Sequence, residues 1–426
     1  MKPTLKKLSN GIPVILIPQK GAESMTLFVF CRVGSRYESK DINGASHFIE
    51  HLMFKGTKRR PDTQTISRTL DRYGAEYNAM TSKDYTGYYV KMDAKQTPLA
   101  IDLLHDMLFH SHYDPKEVDR ERGVIVEEIN MYEDNPRMHI DDLLEEALFP
   151  GSTLGWNIAG PREVIKTVPR EKLIAYRDAY YVPGRLTIAL SGKIHPKAWG
   201  MLEKTFGRVN PPKKAGDKAF AKFRMPSTLA KPLALQDKKT EQVQMGIAFH
   251  GLPLGHTDLP AASLLATILG GTMSSRLFIQ VRERRGLCYS VNASHQPMED
   301  TGVFAVMSGL DRSRLGEAVK VIFAELKKTT KELVTAEELR RAKDHIRGKL
   351  TLAFEDSSVM ADWYGKQWMF MKKLETPDAR MKRFEKVTAS DIRRVAKSLF
   401  RPERMARAVI GPFSNEKALA KMFVWR

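Results

Sequence analysis

Gly44-Ala45-Ser46-His47-Phe48-Ile49-Glu50-His51-Leu52-Met53-Phe54-Lys55-Gly56-Thr57 is the stretch on which the reading of this chain turns. Within it, His47 and His51 lie four residues apart, with Glu50 between them. On a helix, residues four apart sit one above the other on one face. Both imidazoles then reach one metal ion at about 2.0–2.1 Å, the usual zinc–nitrogen distance. Glu50 is three residues after His47 and shares that face, so a water on the metal falls within its reach. The order H-x-x-E-H inverts the H-E-x-x-H pattern of zinc peptidases.

A catalytic zinc takes three protein ligands and keeps a fourth position for water. The pattern from Asp114 to Ile129 predicts a helix, with Asp114 as N-cap and Pro115 at the first helical position. Glu121 and Glu128 are two turns apart on one face, with Val124, Ile125 and Ile129 near it. These two carboxylates are therefore expected to be partly buried, where a carboxylate needs a cation or hydrogen-bond donors. Glu127 points elsewhere and is expected in solvent. Glu128 is the expected third metal ligand, and Glu121 the carboxylate that orients a histidine. Glu50 is the expected general base on the metal-bound water.

Gly44 to Thr57 resembles the zinc helix of the pitrilysin, insulin-degrading enzyme and mitochondrial processing peptidase family, the inverzincins. In that family a ligand glutamate closes an E-R-x-x-x-x-x-E pattern. Glu121-Arg122 through Glu128 matches it, and 128 − 51 = 77 residues is the family's spacing from the second histidine. The likeness runs over nearly the whole chain and is greatest to short bacterial members similar to the processing peptidases. It implies a zinc metalloendopeptidase with one Zn2+ per chain, cutting extended or unfolded peptides inside a closed cavity. Further elements follow from the resemblance. Arg282 and Tyr289 (289 − 282 = 7) match the family's R-x-x-x-x-x-x-Y element, whose members reach the substrate on the zinc. Asn78-Ala79-Met80-Thr81 is similar to its substrate-binding edge strand, and Gly270-Gly271 to its glycine-rich turn. Some relatives are non-catalytic core subunits of a larger complex, the alternative reading. Those relatives lose part of the metal motif, which is complete here. Because one chain holds both the zinc motif and the Arg–Tyr pair, a homodimer is expected, the other arrangement being a heterodimer with a metal-free homologue.

The 426 residues suffice for two or more domains with their own cores. Hydrophobic and charged fractions of 42 % and 28 % are those of an ordinary globular protein, and no apolar run reaches membrane-spanning length. Gly11 to Pro18 is apolar but short and reads as a strand. No signal or transit peptide is evident, so a cytoplasmic, bacterial-type protein is expected. Two cysteines, Cys31 and Cys288, cannot build a disulfide framework. The net charge of +19 is spread along the chain without a basic arm or nucleic-acid module, which argues against nucleic acid as a partner. The remaining nine histidines show no further ligand spacing.

The chain carries one unit twice. Asp84–Met92 recurs as Glu299–Met307, Asn78-Ala79 as Asn292-Ala293, Asp114–Val118 as Thr335–Leu339, and Val182–Gly192 as Arg401–Gly411. The offsets are 215, 214, 221 and 219. The second copy has lost the metal chemistry: the positions of His47 to His51 fall near Ala261 to Leu265, and that of Glu128 on Lys349. Helices are expected from Thr97 to Phe109, with Thr97 as N-cap, and from Arg314 to Lys328. The fold class is α+β, two tandem homologous domains, each a mostly antiparallel sheet with helices packed on one face. The resemblance adds that the domains face each other across a cavity. The expected layout is a zinc-binding domain over 1–209, a Pro-, Gly- and Lys-rich linker over 210–227, and a metal-free domain over 228–426 that supplies Arg282 and Tyr289.

Overall fold

The computed structural model describes residues 2–210 and 219–425. Most of the core of the expected linker, 211–218, lies outside the described residues. Among the described residues eleven strands form two sheets: β1 (Thr4–Lys7), β2 (Pro13–Pro18), β3 (Ser24–Cys31), β4 (Glu76–Thr81), β5 (Thr86–Asp93) and β6 (Leu186–Gly192) make the first. The second is β7 (Leu233–Asp237), β8 (Val243–His250), β9 (Cys288–Pro297), β10 (Gly302–Leu310) and β11 (Ala406–Gly411). The first runs β1-β2-β6-β3-β5-β4 and the second β7-β11-β8-β10-β9. Without β1 the two orders are the same. Each sheet has a single parallel pair, β2 with β6 and β7 with β11.

The sequence repeat and the ladders are out of step in one place. The match that equates Gly87 with Gly302 follows the hairpin turns. The ladders put Ala305 where Gly87 stands: Gly87 faces Phe30, which faces Thr187, whereas Ala305 faces Ala248, which faces Ala406. β5 starts one residue before Gly87 and β10 three before Ala305, so the second hairpin runs two residues further. Turn residues dominate the sequence match because apolar strand residues carry little register information.

The chain divides into two compact units that are not continuous in sequence. The first comprises 1–130, 157–221 and 350–376; the second comprises 131–156, 222–349 and 377–426. The division expected near residue 210 is thus crossed twice. The helix Pro136–Leu148 belongs to the second unit, and Ser357–Met371 to the first. Their starts differ by 357 − 136 = 221, as do those of the helices before them, 336 − 115 = 221. The crossing is therefore part of the repeat.

The crossed helices explain why the strands are apolar on both sides. In the first unit Val14, Met25, Leu27, Val29, Ile188 and Leu190 face one core, shared with Phe48, Ile101 and Leu104. The alternate residues Ile15, Ile17, Phe28, Phe30 and Ala189 face Met360, Ala361 and Tyr364 of the 357–371 helix. In the second unit Ala248, Ala305, Ala408 and Ile410 face Ile140, Leu144 and Leu148 of the 136–148 helix. On the opposite side Leu259–Gly270 lies against β9. Each sheet thus carries helices on one face, as the sequence implies, and one further helix on the other. A strand covered on both faces loses the alternation of a half-exposed one.

Local expectations differ in detail. Thr97 is not the N-cap of its helix, which runs Thr97–His110. Its hydroxyl turns back to donate to Ala94 O at 2.6 Å, closing the preceding turn. The Asp114 carboxylate does cap, accepting from Lys116 N–H at 2.8 Å. Among the described residues no helix is long and apolar enough to cross a membrane.

A Cβ on Gly365 would stand 2.1 Å from Cε2 of Phe30, a fully buried ring stacked on Phe28. Gly365→Ala is expected to lower stability by about 1–3 kcal/mol through overpacking. Gly348, inside the Ala336–Ala353 helix, has no atom within 4 Å of an added Cβ. Gly348→Ala is expected to raise stability by about 0.5–1 kcal/mol. Urea unfolding of both variants checks this; equal midpoints for the two would count against docking of the 357–371 helix on Phe30.

Candidate metal centre

His47, Glu50 and His51 stand on the helix Ala45–Leu52. The backbone enters it through Gly44 at φ +99°, where a Cβ would lie 2.5 Å from Ala159 O. That combination admits only glycine. The helix start has no cap from its own N-cap residue. Instead the buried Glu38 accepts from Gly44 N–H (2.7 Å) and Asn43 Nδ2 (3.0 Å) through Oε2, and from Ser46 N–H (2.7 Å) through Oε1. Burial pushes the Glu38 carboxyl up to about 7 against the pull of these donors.

The second helix, Pro115–Asp134, buries Val118, Glu121, Ile125 and Ile129. Val124 instead is 46 % exposed, because it falls just outside this stripe. Glu127 is exposed. Arg122 pins the helix by donating to Ile165 O (2.6 Å) and Val168 O (2.7 Å), and its guanidinium lies 5.7 Å from the Phe48 ring centre. The two helices are thereby held face to face.

Between them His47 Nε2 lies 3.5 Å and His51 Nε2 3.4 Å from the same oxygen, Glu128 Oε2. Among the described residues, His47, His51 and Glu128 are the one group of three or more His, Cys, Asp or Glu side chains placed to share an ion. His51 Nδ1 meets Glu121 Oε2 at 3.0 Å, and the other Glu121 oxygen receives Lys55 Nζ at 2.6 Å. Glu50 Oε2 accepts from Thr81 Oγ1 at 2.5 Å. Sequence reasoning missed Lys55 and Glu38. The four-residue step from His51 to Lys55 was an available signal; nothing local marks Glu38 as a cap.

The electrostatics follow from this geometry. Burial, with the neighbouring His51, pushes His47 down to about 4. Burial opposes charge on His51 too, but hydrogen bonds to Glu121 and Glu128 outweigh it and lift the ring to about 9. The His51 hydrogen bond holds Glu128 below the ordinary carboxylate range. Burial pushes Glu50 above that range, against the Thr81 hydroxyl.

The donor set fits a divalent transition metal. If Nδ1–H of neutral His51 is given to Glu121, its Nε2 points a lone pair at Glu128 Oε2, and two acceptors at 3.4 Å need a cation between them. Two imidazoles and a carboxylate suit zinc. Carboxylate support of a ligating histidine is the usual outer arrangement. His47 Nδ1 is buried without a partner.

Asn78, Ala79, Met80 and Thr81 lie on β4, the edge strand of the first sheet. One side of that strand is therefore free to pair, and its Thr81 end touches Glu50. Arg282 and Tyr289 belong to the second unit. They are brought together there: the Arg282 guanidinium lies 5.2 Å from the Tyr289 ring centre, and Tyr289, on edge strand β9, is 71 % exposed.

Two α+β units with the same strand order, the first holding this His-His-Glu group, define the class of the protein. Residues 14–162 match the family described as Insulinase (Peptidase family M16), and residues 167–346 match Peptidase M16 inactive domain. The chain belongs to peptidase family M16. It is 34 % identical over 406 residues to the uncharacterized zinc protease YmxG of Bacillus subtilis, covering 95 % of this chain and 97 % of that protein. It is 31 % identical over 414 residues to an uncharacterized zinc protease of Rickettsia felis, covering 96 % and 97 %. In fold it is similar to a crystal structure of a protease from Helicobacter pylori, with a TM-score of 0.89, 23 % identity and coverage of 96 % and 99 %.

Metal binding should release a proton. His51 is imidazolium below about 9 in the metal-free protein, whereas His47 is already neutral above about 4. A ligand must be deprotonated, so at pH 7 zinc displaces the His51 proton and its affinity rises with pH up to about 9. Calorimetry of zinc binding in two buffers of different ionisation enthalpy is expected to give about one proton released per ion. Identical heats in both buffers would contradict this.

Proposed function

We propose that this chain is a zinc-dependent endopeptidase acting on extended or unfolded peptides. His47, His51 and Glu128 hold one ion per chain, Glu121 orients His51, and Glu50 is the general base. The observation that carries this reading is the convergence of two imidazole nitrogens on one Glu128 oxygen, with the Glu50 carboxylate on the same helix beside an open sheet edge.

When bound, zinc supplies Lewis acidity towards the scissile carbonyl and lowers the pKa of a water. Glu50 accepts the proton of the attacking water on its carboxylate and hands it to the departing amine. Burial raises its carboxyl above the ordinary range, so it holds the proton more readily during that exchange. Thr81 Oγ1 fixes one Glu50 oxygen and leaves the other for the proton. A peptide can add to β4 by main-chain hydrogen bonds, passing from Asn78 to Thr81 towards Glu50. Only an unfolded backbone has such groups free, which is why extended substrates are inferred. Arg282 and Tyr289 are proposed to steady the oxyanion or the substrate carbonyl, since a guanidinium and a phenol are suitable donors. A homodimer is the assembly in which each chain carries a full set of these groups.

Hydrolysis of quenched peptides by purified, zinc-loaded protein tests the reading. Glu50→Gln is expected to lower kcat by about 10²–10⁴-fold while metal content stays near one per chain. Glu128→Ala should lose both zinc and activity. Arg282→Ala or Tyr289→Phe should cost about 10²–10³-fold in kcat. A zinc-free, inert protein would refute the assignment and leave a non-catalytic subunit, and full activity in Glu50→Gln would refute the role of Glu50 as general base. Mixing Glu50→Gln chains with Arg282→Ala/Tyr289→Phe chains tests the assembly: activity restored on mixing would rule out a scheme in which each chain works alone.

A further inference from the structure

We propose that the second unit holds a site for a phosphate group, in the cavity between the Gly270–Ser275 turn and the Ala336–Ala353 helix. The proposal is independent of the peptidase reading. The cavity has a volume of about 330 Å³ and lies wholly within this unit. Arg341, His345 and Lys349 line it from one helix face, at four-residue steps. Opposite them the cavity is lined by Thr272 and Ser274, whose hydroxyls lie 3.2 Å apart. Cationic side chains and hydroxyl donors together match a tetrahedral oxyanion, which accepts on every side.

Two observations favour an anion over other contents. First, the positive charge is available. His345 and Lys349 make no hydrogen bond or ion pair among the described residues. The Arg341 guanidinium has only a 3.8 Å approach to Glu337 on the exposed helix surface, a contact of little worth. Second, the one carboxylate lining the cavity is already committed. Glu338 takes Arg276 on both oxygens, at 2.6 and 2.8 Å, and caps Thr335 N–H at 2.9 Å. That pair also clamps the turn to the helix. Gly270 lets the turn pass close to β9, since a Cβ there would be 2.3 Å from Ala293 N.

The same frame appears in the first unit with the opposite sign. There a helix after the second long strand and a second long helix gather imidazoles and carboxylates for a cation. Here the corresponding helices, Leu259–Gly270 and Ala336–Ala353, border this cavity. The position of Glu128 is taken by Lys349 (349 − 128 = 221) and that of Glu121 by Ala342 (342 − 121 = 221). The repeat has lost its carboxylates and acquired cations.

Inorganic phosphate titrated into the full-length, zinc-loaded protein at constant ionic strength, followed by calorimetry, tests the site. Saturable binding of one phosphate per chain is expected. Arg341→Ala/Lys349→Ala should weaken it at least tenfold, while Glu128→Ala leaves it unchanged. O-phosphoserine in competition distinguishes sources: displacement at equal or lower concentration identifies a phosphorylated peptide, and no displacement identifies the free ion. Absence of saturable binding, acetate binding as well as phosphate, or binding lost in Glu128→Ala but kept in Arg341→Ala/Lys349→Ala would each overturn the proposal.

Discussion

Two imidazole nitrogens forced within 3.5 Å of one carboxylate oxygen are the constraint around which the first unit is arranged. Such a group is unstable unless a cation or a shared proton sits in it. The surroundings keep it together regardless. Glu121 grips His51 from behind and is itself held by Lys55. Arg122, the next residue, ties the same helix to the 165–168 backbone and lies near Phe48. Glu38 closes the start of the histidine helix with both of its oxygens. The Glu121 and Arg122 contacts join segments far apart in sequence, so the geometry of the group is a property of the whole unit.

The second unit repeats the strand order and helices without the ligands. Its agreement with the first extends to the helix, drawn from the other half of the sequence, that covers the second face of each sheet. One backbone arrangement thus supports two different chemical environments, set by a few side chains on the same two helices. Function resides in these substitutions and the fold is indifferent to them.

Much of this was legible in the sequence because it rests on short-range geometry. His47, Glu50 and His51 share a face by spacing alone, and Glu121 and Glu128 do so at two turns. Pro115 and Asp114 mark a helix start by their own backbone chemistry. The duplication showed through the order of its matches. What stayed hidden depends on tertiary choice. The apolar stripe of the 136–148 helix says that it must pack, not on which sheet. The run Leu27-Phe28-Val29-Phe30-Cys31 hints at a strand covered on both faces, yet cannot name the covering helix. Thr97 had the composition of a cap and used its hydroxyl elsewhere. Hairpin register slipped because turn residues are distinctive and strand residues are not.

The crossed helices also set an order of assembly. The first sheet starts at Thr4 and its last strand ends at Gly192, but Phe28 and Phe30 lack their cover until residues 357–371 exist. On a ribosome, which makes about 5–20 residues per second, that leaves an apolar sheet face waiting for at least several seconds. The nascent chain is therefore exposed to misassembly and to chaperone capture during this interval, and neither half can complete its native packing before nearly all of the polypeptide has emerged.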